Sequence, residues 1–256
     1  MRDPHVVSLK YHLETSPENI FYNPQPIEQE TDQFSLRLAD DILVLQMKEH
    51  YSSDYAAKIA VADYLHSWEI DMALQLRLQR VRFVFQGAEV IDRNPLPPEE
   101  SQGLDTSRNI YFATSASASL KVTCSKYPAL PQNFVVTPDV ETLWGRYEGY
   151  LNKREPLLSM AYFCLTVIEG SAGSRKDAGK KYSIDQAVLG KLGELSSTRG
   201  NVNTARKYGA NTNQQDLTQN EVEWIKACIE AIIRRMAEQS SPNQQSKLTM
   251  ADLPKL

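Results

Sequence analysis

The chain has 256 residues, 41% of them hydrophobic, and a formal net charge of −4. That length suits two domains of ordinary size, each with a real core, and the mild acidity argues against general coating of nucleic acid. The charge is uneven, −7 through Val140 and +3 from Glu141 onward, so an anionic ligand would belong to the second half.

The first half reads as α+β. Val7, Leu9, Tyr11 and Leu13 alternate with polar residues, the period of a half-buried strand, and Phe34, Leu36 and Leu38 repeat it. Ile42–Met47 is a compact apolar run that reads as the next strand, with the acidic pair Asp40-Asp41 as the turn before it. Ser53 is placed to cap a helix, with Asp54 in its first turn. Tyr55, Ile59, Ala62, Leu65 and Met72 then follow helical spacing roughly, to about Leu74. Val81, Phe83 and Phe85 alternate again. Gly87 breaks the run, and residues 88–91 are expected to pair back as a hairpin. Residues 111–113 and 120–124 are later strand candidates. Residues 94–107 are proline-rich and acidic, an exposed loop. Residues 127–137 are punctuated by proline and read as the linker between domains 1–126 and 138–239.

The second half is helical. Thr137 is an N-cap with Pro138 at the first helical position, where its missing N–H costs nothing. Val140, Trp144, Tyr147 and Leu151 share one face. Pro156 opens a second helix with Met160, Phe163, Cys164, Val167 and Ile168 inward. Ser183 with Gln186 reads as a capping box before a third, carrying Ile184, Val188, Leu189, Leu192 and Leu195. Thr218 with Glu221 is a capping box for the fourth, with Leu217 and Val222 as a hydrophobic staple. There Val222, Ile225, Ile229, Ile232, Ile233 and Met236 hold the helical period to the end. Four helices with connected apolar faces predict a bundle. Residues 240–256 are polar and are expected to form a disordered tail.

Cys124, Cys164 and Cys228 are scattered, with no CxxC pair, so the thiols are expected to be reduced and the compartment cytoplasmic. The N-terminus lacks the charged start and apolar block of a signal peptide. No apolar run reaches the roughly 20 residues that span a bilayer.

Few motifs carry chemistry. Residues 173–181 have two glycines and four cations, but the glycine spacing is too long for a phosphate loop, and Lys181 stands where a hydroxyl should ligate magnesium. Cations after a helix C-terminus explain it better. Asp63, His66 and Glu69 are three apart on one helix, a face that reads as solvated rather than as a metal site, which needs three or four convergent ligands. Trp68, Trp144 and Trp224 are read as packing residues, and the Arg80/Arg82 pair as a solvated sheet face. The segment 196–208 stands apart. Arg199, Arg206 and Lys207 can make charge-assisted bonds to phosphate, and Asn201 and Asn203 add amide groups.

A helical bundle with a polar loop of this kind before its last helix resembles the HEPN superfamily of prokaryotic RNA-cleaving and toxin domains, over about residues 138–239. In that family an arginine, usually followed by a polar residue, precedes a histidine by a few positions. Arg199-Gly200-Asn201 matches the arginine end, and Arg206 stands at the far edge of the spacing where the histidine should be. The resemblance implies RNA or partner binding, possible self-association, and a setting such as bacterial phage defence. Arginine stays protonated near neutral pH and cannot exchange the proton that metal-independent cleavage needs. The expectation is therefore a non-catalytic binding or adaptor protein without cofactor or metal. It would engage a partner protein, a second copy or RNA through Arg199, Asn201, Arg206 and Lys207, and no membrane. The alternative is a divergent ribonuclease with Arg199 in its active site and a histidine supplied by the first domain or a partner.

Overall fold

The computed structural model describes residues 2–15, 19–77, 81–94, 122–131, 133–201, 204, 215–238 and 246–256. The fold is α+β. The chain forms two compact units, Met1–Leu65 with Arg80–Ala129, and His66–Gln79 with Leu130–Leu256. The second unit thus takes His66–Gln79, which a boundary at residue 126 would leave with the first.

The first unit is built on β1 (Pro4–Thr15), β3 (Ile27–Glu30), β4 (Phe34–Ala39), β5 (Ile42–Met47) and β6 (Val81–Asp92), in the antiparallel order β3-β4-β5-β1-β6. A parallel pair, β2 (Asn19–Gln25) with β7 (Val122–Lys126), accompanies it. The acidic pair does form the β4–β5 turn. Asp40 and Asp41 both take positive φ, 50° and 59°, the left-handed conformation that a two-residue hairpin matching strand twist requires.

Two strand readings are corrected. Ala88 to Ile91 do not fold back: β6 runs unbroken and pairs with β1 along its whole length. Gly87 instead lies beside an irregularity, where Lys10 faces Gly87 but Tyr11 faces Phe85. A second irregularity puts Val7 out of register, so Val6 is fully buried and Val7 only partly. An extra residue reverses which side chains face inward, and period-2 counting cannot see it. β2 and β3 were not anticipated. Residues 95–121, which hold the candidate strand 111–113 and most of the acidic loop, lie outside the described residues.

Helix α1 (Asp54–Leu76) opens at Ser53, whose Oγ accepts the Ala56 N–H at 3.2 Å. Its buried face is Ala57, Val61, Leu65, Trp68 and Met72, whereas Tyr55 and Ile59 are exposed. In the first unit Tyr64 meets Phe34 edge-on at 5.2 Å and bonds Gln29, and Lys58 lies over Phe85.

The second unit adds α2 (Pro138–Leu151), α3 (Leu157–Ala172), α4 (Arg175–Lys181), α5 (Gln186–Thr198) and α6 (Gln219–Ala237). α3 contacts each of the other four. The Thr137 cap with Pro138 and the complete Thr218–Glu221 capping box form as expected. The α5 cap is corrected: Asp185, not Ser183, accepts from the Ala187 N–H, and Ser183 takes a left-handed φ of 52°. Residues 175–181 are helical rather than a loop, with Ser174 as N-cap. The tryptophans pack as expected, Trp68 and Trp224 being fully buried and Trp144 nearly so.

The C-terminal segment is also corrected. Residues 246–256 are not a disordered tail. Leu248 is buried, its N–H donates to the Ser183 carbonyl, and its carbonyl accepts the Asp185 N–H, both at 2.8 Å. Leu253 is buried after a short turn at Met250–Asp252. Two leucines five apart anchor a stretch whose average polarity suggested otherwise. The proline-punctuated stretch is pinned at both ends. Tyr127 is buried in the first unit with its hydroxyl bonded to Asp41, and Phe134 is buried in the second, bridging Glu238.

Candidate functional site

Helix α5 ends at Thr198, and the chain leaves in extended conformation at Arg199. Gly200 follows with a φ of 107°, a left-handed value open to glycine at no steric cost. Its N–H donates to the Gln215 carbonyl at 3.0 Å, and Arg199 bridges Gln215. The two ends of the α5–α6 connection are therefore joined main chain to main chain.

Side chains reinforce this closure. The Arg199 guanidinium donates through Nε and Nη2 to Glu221 Oε1, at 3.0 and 2.8 Å, and through Nη1 to Gln215. Glu221 is buried, and its second oxygen accepts the Thr218 N–H at 2.8 Å. Burial works against the Glu221 charge, but the Thr218 N–H and Arg199 outweigh it and hold the carboxyl below the usual range. One carboxylate thus caps α6 and anchors the arginine that closes α5. Asn201 donates to Asp216 at 2.8 Å and receives the Thr204 hydroxyl at 3.2 Å.

Of the four residues expected to bind phosphate, Arg199 and Asn201 meet at the base of the connection, each engaged with acceptors from the same protein. Arg206 and Lys207 lie outside the described residues, as does Asn203. The partner of Arg199 was missed as such. Glu221 was legible as a capping residue, but nothing local links it to an arginine 22 positions earlier.

The His66 face gains a member from α2. His66 Nε2 bonds Glu141, and Nδ1 lies 3.6 Å from Glu69. Hydrogen bonding to Glu69, reinforced by Glu141 and opposed by burial, pushes its pKa up to about 9. No group of three metal-ligating side chains suited to an ion occurs among the described residues.

A second polar cluster gave no sequence signal. Asp71 on α1 accepts from Arg234 on α6 at 2.9 Å and from Gln75 at 2.8 Å. Burial raises the Asp71 pKa, with Arg234 and Gln75 opposing. Nearby, Tyr147 donates to Glu230 at 2.6 Å and Arg77 approaches the same carboxylate at 3.4 Å. Of these groups, Gln75, Arg77, Glu230 and Arg234 rim a groove of about 540 Å³ beside Leu248 and Leu253. Two of the four cations of residues 173–181 serve the fold: Arg175 pairs with Glu169, and Lys181 donates to the Ser171 carbonyl.

No single helix among the described residues is long and apolar enough to cross a membrane. Comparison with protein-family models, curated proteins and solved structures found no match.

Proposed function

We propose that this chain is a non-catalytic cytoplasmic binding or adaptor protein whose helical unit engages an anionic partner, RNA or an acidic protein surface, through the α5–α6 connection. The observation that supports it is the closed base of that connection. The Gly200–Gln215 hydrogen bond and the Arg199–Glu221 pair hold the two ends together, a rigid root for the intervening residues. Those residues include Arg206 and Lys207. Rigidly rooted loops are where recognition commonly resides. In this reading Arg199 and Asn201 shape the loop, and Arg206 and Lys207 meet the partner. The resemblance to HEPN domains and a role in bacterial defence belong to the same reading.

The geometry favours this over the ribonuclease alternative. Arg199 faces Glu221 and Gln215, and His66 holds its proton to about pH 9 between two carboxylates, so it is a poor general base near neutrality.

The test is binding of labelled RNA across a salt series, with native mass spectrometry of material purified from its source. Wild type should bind RNA in a salt-dependent way, and Arg206→Ala with Lys207→Ala should lower the slope by about 0.7–0.9 for each phosphate ion pair removed. Binding unchanged in that double variant, or no bound partner of either kind, overturns the reading. Magnesium-independent cleavage abolished by Arg199→Lys, in protein that retains its helical circular dichroism, would establish the alternative.

A further inference from the structure

The start of β1 holds a histidine pair outside the site described above. His5 is only 7% exposed, and its ring stacks on that of His50, with centroids 5.3 Å apart and planes 17° from parallel. His50 belongs to the connection between β5 and α1. The Nδ1 of His5 is buried and has no hydrogen-bond partner among the described residues. Asp3 lies 3.3 Å from His50 Nε2. The other charged groups nearby are committed or cationic. Asp92 accepts the N–H groups of Asp3 and Asn94, Glu49 accepts the Tyr51 hydroxyl, and Arg93 follows β6. Three segments are tied together here. Val6 N–H donates to the Tyr51 carbonyl and Arg93 N–H to the Asp3 carbonyl, each at 2.9 Å.

We propose that the stacked His5–His50 pair is an acid-sensitive latch: it holds the start of β1 to the β5–α1 connection and the end of β6 while His5 is neutral, and releases it when both rings are protonated. The cause is an imbalance of charge in a confined place. Two imidazolium rings face to face, with Arg93 close by, have one carboxylate in contact with either ring, that of Asp3 on His50. A buried cation also loses its hydration. Burial first, then Arg93 and His50, lower the His5 pKa from 6.5, with Asp3 opposing. Because the folded value is depressed, the unfolded chain binds the proton more readily. The stabilisation from neutral His5 is complete above pH 6.5 and is lost as pH falls from there through the folded-state value. This latch is independent of the function proposed for the helical unit.

The experiment is hydrogen exchange of the full chain at pH 7.5 and pH 5, corrected for intrinsic exchange, together with histidine titration by NMR. The amides of Val6 and Arg93 should lose several times more protection at pH 5 than those in the middle of β4 and β5. In His5→Phe, which keeps an aromatic ring and cannot titrate, that excess should vanish. Equal loss in wild type and His5→Phe overturns the latch, as does a His5 titration at or above 6.5. If His5→Phe does not fold, His50→Gln removes the second cation and should shrink the excess severalfold, and an undiminished excess in that variant also overturns it.

Discussion

Helices α1 and α6 are the two longest among the described residues, and they bury themselves differently. α6 presents one continuous apolar face, Trp224, Ile225, Cys228, Ile229, Ile232, Ile233 and Met236, with the buried Glu221 at its start. α1 changes character at Leu65. Before it, roughly one residue per turn is buried (Ala57, Val61, Leu65). After it, Ser67, Trp68, Ile70, Asp71, Met72, Ala73 and Leu74 are buried almost all round. The division between the two compact units falls at that same residue. A helix in one environment advertises its face by period; a helix shared between two units averages its pattern away.

The sharpest break in this comparison would come from the cores. Ile229→Ala, at a fully buried position on α6, should cost roughly 2–5 kcal/mol in chemical denaturation, because the cavity cannot fully collapse. Ile59→Ala, at 58% exposure on α1, should stay within about 0.5 kcal/mol although the residue type is the same. Equal losses would mean that the outer face of α1 is covered in solution.

The caps test the helix starts. Thr218→Ala removes half of a complete capping box whose glutamate also anchors Arg199, and should cost about 1–2 kcal/mol. Ser53→Ala loses a single bond of 3.2 Å and should cost about 0.5 kcal/mol. Thermal melts of the two variants would expose a reversed order, which would show that the Arg199–Glu221 closure is dispensable.

The smallest effect concerns the second half of α1. The His66 pKa is raised in the folded state, so its pairing with Glu69 and Glu141 contributes fully below 6.5 and is lost as pH rises through about 9. With His66 about a third exposed, solvent screens the pair and the effect is modest. Melting temperature should fall slightly more between pH 8 and pH 10 in wild type than in His66→Gln. Parallel pH profiles would mean that the pairing carries no stability.

These contrasts follow how far apart in sequence each determinant lies. The Thr218–Glu221 box, the Thr137-Pro138 start and the Asp40-Asp41 turn were legible because every bond involved joins residues at most three apart. The α6 face was legible because a single period runs through it. The α+β class followed from the same local patterns.

Tertiary structure decided the rest. The displaced register at Val7 depends on which residue of β6 lies across the sheet. The single unbroken β6 depends on β1, whose length lets both parts of the strand keep their partner. Residues 246–256 are held by bonds to Ser183 and Asp185, more than 60 positions earlier. Asp71 meets Arg234 across 163 residues, and Arg199 meets Glu221 across 22. A charged side chain in sequence shows that a pair is possible; only the folded chain selects the partner, because ion-pair strength depends on distance and burial and leaves no periodic trace in the sequence.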